Sequence, residues 1–194
     1  MRRAVKRTNP NDFVQDKTTR NYVLIAAVVI GILALIYILY LNIRGPQPLD
    51  GLVMHPGLAI GHDNSQRYEF GGLPPAGGIH NDTWQTCGIY DEPVLPEHAI
   101  HSMEHGAIWI TYHPDLPENQ VNQLQSMVRG QTFILLSPYP DQDAPIALTA
   151  WGLQVTVESA SDNRIPRFIE RYRLGPQTIE RGATCNGGVG TPLG

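Results

Sequence analysis

The chain has 194 residues and a formal net charge of −4, a length that suggests one domain with at most an appendage. Its charge is unevenly spread. From Gly45 onward seven arginines and no lysine stand against sixteen Asp and Glu, which excludes nucleic acid and anionic lipid as natural partners of that part.

The first element is an apolar run. Tyr22 to Leu41 is twenty residues without a charge, and at about 1.5 Å per residue it matches the roughly 30 Å hydrocarbon core of a bilayer. Arg2, Arg3, Lys6, Arg7, Lys17 and Arg20 precede it and only Arg44 closely follows, which predicts a cytoplasmic N-terminus and an extracytoplasmic remainder. The run is too long for an ordinary signal-peptide core, and no small-residue cleavage site directly follows it, so the reading is a retained single-span anchor. The expected organisation is a basic cytoplasmic tail (1–21), a transmembrane helix (22–41), a linker (42–50), an extracytoplasmic domain (51–181) and a Gly-rich tail (182–194).

Within the domain, residues 52–60 have room for a short strand, and Phe70 to His80 is dominated by turn formers. Ala107 to Tyr112 has the β-branched and aromatic make-up of a buried strand. Leu116-Pro117-Glu118 opens a helix whose apolar face is Val121, Leu124 and Val128, and Gly130 stops it. Thr132 to Leu136, Ile146 to Trp151 and Leu153 to Glu158 are further strands, and Asp162 to Tyr172 is a last helix with Ser161 as N-cap. The tail from Gly182 is expected to be mobile except where Cys185 ties it down. The order implies an α+β fold: a small, mostly antiparallel sheet with helices on one face, preceded by the membrane helix.

Chemistry-bearing residues concentrate between Trp84 and Gly106. Pro96 and Gly106 bracket a helix in which His98, His101 and His105 fall at i, i+3 and i+7. His101 and His105, at i, i+4, have the spacing with which a helix presents two imidazoles to one metal ion. Glu104 is placed to orient a ring, to ligate, or to act as a base, and His80 and Cys87 stand upstream. His101-Ser102-Met103-Glu104-His105 also fits the inverted zinc-peptidase string H-x-x-E-H.

Pro74-Pro75-Ala76-Gly77-Gly78-Ile79-His80, Trp84, Cys87-Gly88-Ile89-Tyr90, Pro93-Val94 and His101-Ser102-Met103-Glu104-His105-Gly106 resemble, in this order, the bacterial domain of unknown function 3105. Pro138-Tyr139-Pro140 and Ala144 to Gly152 are similar to its second block, and the resemblance spans roughly residues 50 to 175. It implies a membrane-anchored, exported domain with no established reaction, whose hallmark positions fall here on His80, Cys87, Tyr90, His101, Glu104 and His105. Two positions depart from the pattern: Gly77 stands where serine is expected and Met103 where leucine is. His98 and His113 are not hallmark positions.

The candidate metal ligands are therefore His80, His101, His105, Cys87 and Glu104. Imidazoles with a thiolate suit copper or zinc rather than calcium or magnesium, with copper ahead. Met103 lies about 200° around the helix from His101 and reads as a core residue. A blue-copper reading fails on spacing, because no His or Met follows Cys185. The two cysteines, in an oxidising compartment, favour a disulfide, and if they pair Cys87 no longer ligates. The functional expectation is metal handling, or an accessory subunit of a membrane redox complex. Its partners would be membrane lipid through the N-terminal helix and a membrane-protein complex, with no nucleic acid. A docking domain without metal and a small zinc hydrolase are the alternatives.

Overall fold

The computed structural model describes residues 17–43 and 49–193. The expected basic tail as far as residue 16, Arg44 with the linker to residue 48, and Gly194 lie outside them. Two compact units are present, one N-terminal and one beginning at Pro48. The first is helix α1 (Lys17–Ile43). Its stretch Thr19–Leu41 has a mean hydropathy of 2.9 and none of it is buried by protein, so it is long and apolar enough to cross a membrane. Such a helix is compatible with a single-pass anchor or with a signal sequence.

The second unit runs β1 (Val53–Met54), β2 (Gly88–Ile89), α2 (Pro96–Glu104), β3 (Ile108–Tyr112), α3 (Glu118–Val128), β4 (Ile134–Pro138), β5 (Ile146–Ala150), β6 (Leu153–Val157) and α4 (Arg164–Tyr172). They form a six-stranded sheet in the order β1-β6-β5-β3-β4-β2. Pairs β1–β6, β5–β6 and β3–β5 are antiparallel, while β3–β4 and β2–β4 are parallel. The expected α+β class with a mostly antiparallel sheet is what forms. The parallel β3–β4 pair follows from chain length, because α3 supplies the crossover that parallel neighbours need. Between β5 and β6 the chain turns at Trp151-Gly152, with Gly152 at φ +71°, so the two form a hairpin.

Alternation along β3 decides what covers each face. Ile108, Ile110 and Tyr112 pack with Leu124 and Val128 of α3 and with Ile165, Phe168 and Ile169 of α4. Trp109 points the other way and packs with Leu135, Tyr139, Trp151 and the α2 residues Ala99, Ile100 and Met103. Helices α3 and α4 thus share the expected face, and α2 covers the opposite one. Met103 is fully buried there, as its position on the helix predicted.

Three boundaries differ from expectation. Strand β4 begins two residues late because Phe133, at φ +56°, is not extended. Helix α4 begins at Arg164, two residues late, with Asn163 rather than Ser161 at the cap position, and the Asp162 carboxylate accepts from the Arg164 N–H at 2.8 Å. The Gly-rich tail lies along the β2 edge of the sheet. Leu193 N–H donates to Ile89 O at 2.8 Å and Thr86 N–H to Val189 O at 2.9 Å. Close approach is what the glycines permit there: a Cβ on Gly88 would run into Pro192, and one on Gly188 into Trp84.

Gly106 joins α2 to β3 with φ +109°, and a Cβ there would stand 2.7 Å from Leu174 Cδ2 and 3.1 Å from Leu174 Cα. Gly106→Ala is expected to cost about 2–4 kcal/mol, from a forbidden backbone angle plus overpacking, read as a lowered denaturant midpoint at an unchanged m-value.

Candidate metal centre

Helix α2 carries the centre of the site. Pro96 opens it and Glu97 sits in its first turn, both suited to a helix N-terminus. One turn apart on it, His101 and Glu104 face the same way. The loop before it brings two more histidines alongside: His80 N–H donates to Gly61 O at 3.1 Å, Asp63 N–H donates to His80 O at 2.8 Å, and His62 and His80 form a parallel bridge. The ligand atoms of His62, His80, His101 and Glu104 then all lie within 4.8 Å of one another.

Hydrogen bonds fix how the rings present themselves. His80 Nδ1 lies 2.8 Å from Gly78 O, and His101 Nδ1 lies 2.7 Å from Asn81 O. A carbonyl oxygen can only accept, so both Nδ1 atoms carry a proton and Nε2 is the ring atom left for the cluster. Glu104 Oε2 is 3.0 Å from His80 Nε2 and 3.5 Å from His62 Nε2. The rings of His80 and His101 meet edge to face at 4.9 Å, and that of His62 stacks on His101 at 4.8 Å. Two acceptors 3.0 Å apart in a buried pocket repel unless a proton or a cation lies between them.

Of the expected ligands, the structure brings together His80, His101 and Glu104. His105 is adjacent to His101, with ring centroids 4.6 Å apart, but stays outside the group. As the residue that caps α2, it gives its Nδ1 proton to Thr184 O at 2.6 Å and turns Nε2 toward Glu180 Oε2, 3.7 Å away. The H-x-x-E-H string therefore contributes one histidine and its glutamate to the cluster, not two histidines. Cys87 is bonded to Cys185, so it offers no thiolate. His98 donates to Thr83 O and takes no part, and neither do Met103 and His113. His62 was not legible in the sequence: Gly61-His62-Asp63 has no helical spacing to a partner, and only a non-local bridge puts it in the site.

Burial and the neighbouring rings make His101 hard to protonate. Desolvation, with smaller repulsion from His105, His80 and His62, outweighs the Asn81 carbonyl and lowers its pKa to about 4. A depressed histidine pKa favours the folded state while the ring is neutral, so its contribution is complete above about 6.5 and is lost as pH falls toward 4. The metal-free protein is expected to lose up to about 3 kcal/mol across that window by this route. Denaturant midpoints at pH 7, 5.5 and 4 check it, with a shallower slope expected for His101→Gln; equal slopes would refute it.

The family model described as a protein of unknown function, DUF3105, matches residues 62–187. Those residues include all four members of the cluster and both cysteines. No curated protein and no solved structure matches the chain.

Proposed function

The chain belongs to the DUF3105 family of proteins of unknown function, and we propose that its domain holds one divalent transition-metal ion, copper or zinc, on His80, His101 and Glu104 with His62 beside them. The observation that carries this reading is the pair of fixed tautomers. Gly78 O and Asn81 O hold the Nδ1 protons of His80 and His101, so the Nε2 atoms are the ones left for a metal, and that of His80 lies 3.0 Å from Glu104 Oε2. Outer carbonyls of this kind orient imidazoles that bind metal. Ligands about 2.0–2.1 Å from a tetrahedral ion stand roughly 3.3 Å apart, so the group needs to contract by on the order of 1 Å.

The donor set shapes the choice of metal. With Cys87 in a disulfide and Met103 packed in the apolar core, no sulfur joins the cluster among the described residues. Three imidazoles and one carboxylate suit zinc or copper(II), whereas copper(I) prefers softer ligands, so the lean toward copper loses its sulfur-based support. Helix α1 anchors the domain in a membrane with its N-terminus cytoplasmic, and the disulfide belongs to an oxidising exterior. The protein works there in metal handling or as an accessory subunit of a membrane redox complex.

The test is metal analysis of the full chain purified in detergent without a histidine tag. About one equivalent of copper or zinc is expected in wild type, and His101→Ala is expected to weaken binding by on the order of 100-fold or more. No stoichiometric metal, or equal content in His101→Ala and Glu104→Gln, would sink the reading. The second reading is a metal-free ion pair, favoured by the 3.0 Å separation of His80 Nε2 and Glu104 Oε2, which is also the length of a charged hydrogen bond. It requires a buried imidazolium and predicts no metal at all.

A further inference from the structure

The four candidate ligands differ in how they are held. His80 and Glu104 have side chains only 0% and 3% exposed, and His101 as a residue is 4% exposed, whereas the His62 side chain is 42% exposed. His80 and His101 each have an Nδ1–H tied to a backbone carbonyl. Among the described residues no hydrogen bond holds the His62 ring, which stacks on the face of His101, at 20° and 4.8 Å, meets the edge of His80, and has its Nε2 3.5 Å from Glu104 Oε2. Its backbone is nevertheless fixed by the bridge to His80. A fixed backbone with a half-exposed ring that no hydrogen bond holds gives a side chain able to swing without the loop unfolding.

We infer that His62 is the exchangeable ligand of this site. His80, His101 and Glu104 hold the metal from the buried side, while His62 covers one coordination position on the solvent side and yields it to an external neutral nitrogen donor of the imidazole class. This rests on the metal-binding reading above. A nitrogen donor of this class is favoured because the position it takes is one that an imidazole, that of His62, already covers. Two buried imidazoles with a carboxylate, and a fourth position that opens, is a donor set from which an ion can be passed on or on which a small ligand can bind.

The experiment uses the full chain in detergent loaded with one equivalent of copper(II), followed by electron paramagnetic resonance as imidazole is added. Wild type is expected to show three coupled nitrogens and His62→Ala two, with copper affinity within about tenfold of wild type because the buried ligands remain. Imidazole should restore the third nitrogen in His62→Ala at a concentration at least tenfold lower than that at which it perturbs wild type. Loss of copper from His62→Ala as complete as from His101→Ala would overturn the inference by making His62 an obligatory ligand. An imidazole response equal in both proteins would overturn it by showing that His62 does not occupy the position. Failure of wild type to bind copper or zinc is the separate result that removes the metal reading itself.

Discussion

His80→Ala is expected to abolish stoichiometric metal binding and, in the same protein without metal, to lower stability by about 3–5 kcal/mol. The size follows from what the ring touches. It is fully buried, donates to Gly78 O, faces Glu104 Oε2 at 3.0 Å, and packs its edge against Trp151 with centroids 5.8 Å apart. Truncation leaves a buried carbonyl without its donor, a buried carboxylate whose remaining neighbour is His62 at 3.5 Å, and a void beside an indole. These terms share one pocket and do not add.

A second substitution separates them. Glu104→Gln removes the charge but keeps the shape, so it is expected to lose metal affinity while costing less stability than His80→Ala. In the His80→Ala background it is expected to recover part of the loss, because the orphaned carboxylate is gone. Calorimetry or denaturant titration of the four proteins of this cycle reads the coupling. If His80→Ala and Glu104→Gln were additive, the two groups would not be interacting across their 3.0 Å contact, and the tautomer argument would fail with them.

The part of this site that could be read from residue order is the part made by local geometry. Helix α2 is bracketed by Pro96 and Gly106, and a helix fixes which of its side chains are neighbours, so the pairing of His101 with Glu104 is legible in residue order. The same periodicity overstated His105. His105 keeps helical backbone angles, φ −74° and ψ −11°, but its Nδ1 proton goes to Thr184 O and the ring stays outside the group. His62 enters through pairing between two irregular loop segments, which leaves no period in the sequence. Strand β2 is two residues long, and its pairing to β4 is equally invisible. In the sheet, strands with alternating or β-branched character were legible, whereas the start of β4 depended on the unusual backbone of Phe133. In the tail Cys185 is tied down as expected, and glycine, which reads as flexibility, serves close packing at Gly188 and at Gly88 of the facing β2.

Removing the disulfide by Cys87→Ala with Cys185→Ala is expected to destabilise the domain by about 4–5 kcal/mol, the chain-entropy value for a loop of this size. The cysteines are 98 residues apart, with Cα atoms 5.4 Å from one another, so the bridge closes a loop containing α2, α3, α4 and most of the sheet. For a domain near 150 residues that corresponds to a fall in Tm of roughly 10–15 °C. The effect on metal is expected to be small by contrast, less than about tenfold, because His62, His80, His101 and Glu104 all precede the tail and none is held by it. What the tail does hold is His105, through Thr184 O, and Trp84, whose Nε1–H donates to Asn186 O at 3.2 Å and whose ring lies 5.8 Å from His101. A double variant that melts as wild type does would show that the backbone pairing of Val189 and Leu193 already fixes the tail. One that loses metal as fully as His101→Ala would show that His105 and the tail, rather than the four-residue cluster alone, complete the centre.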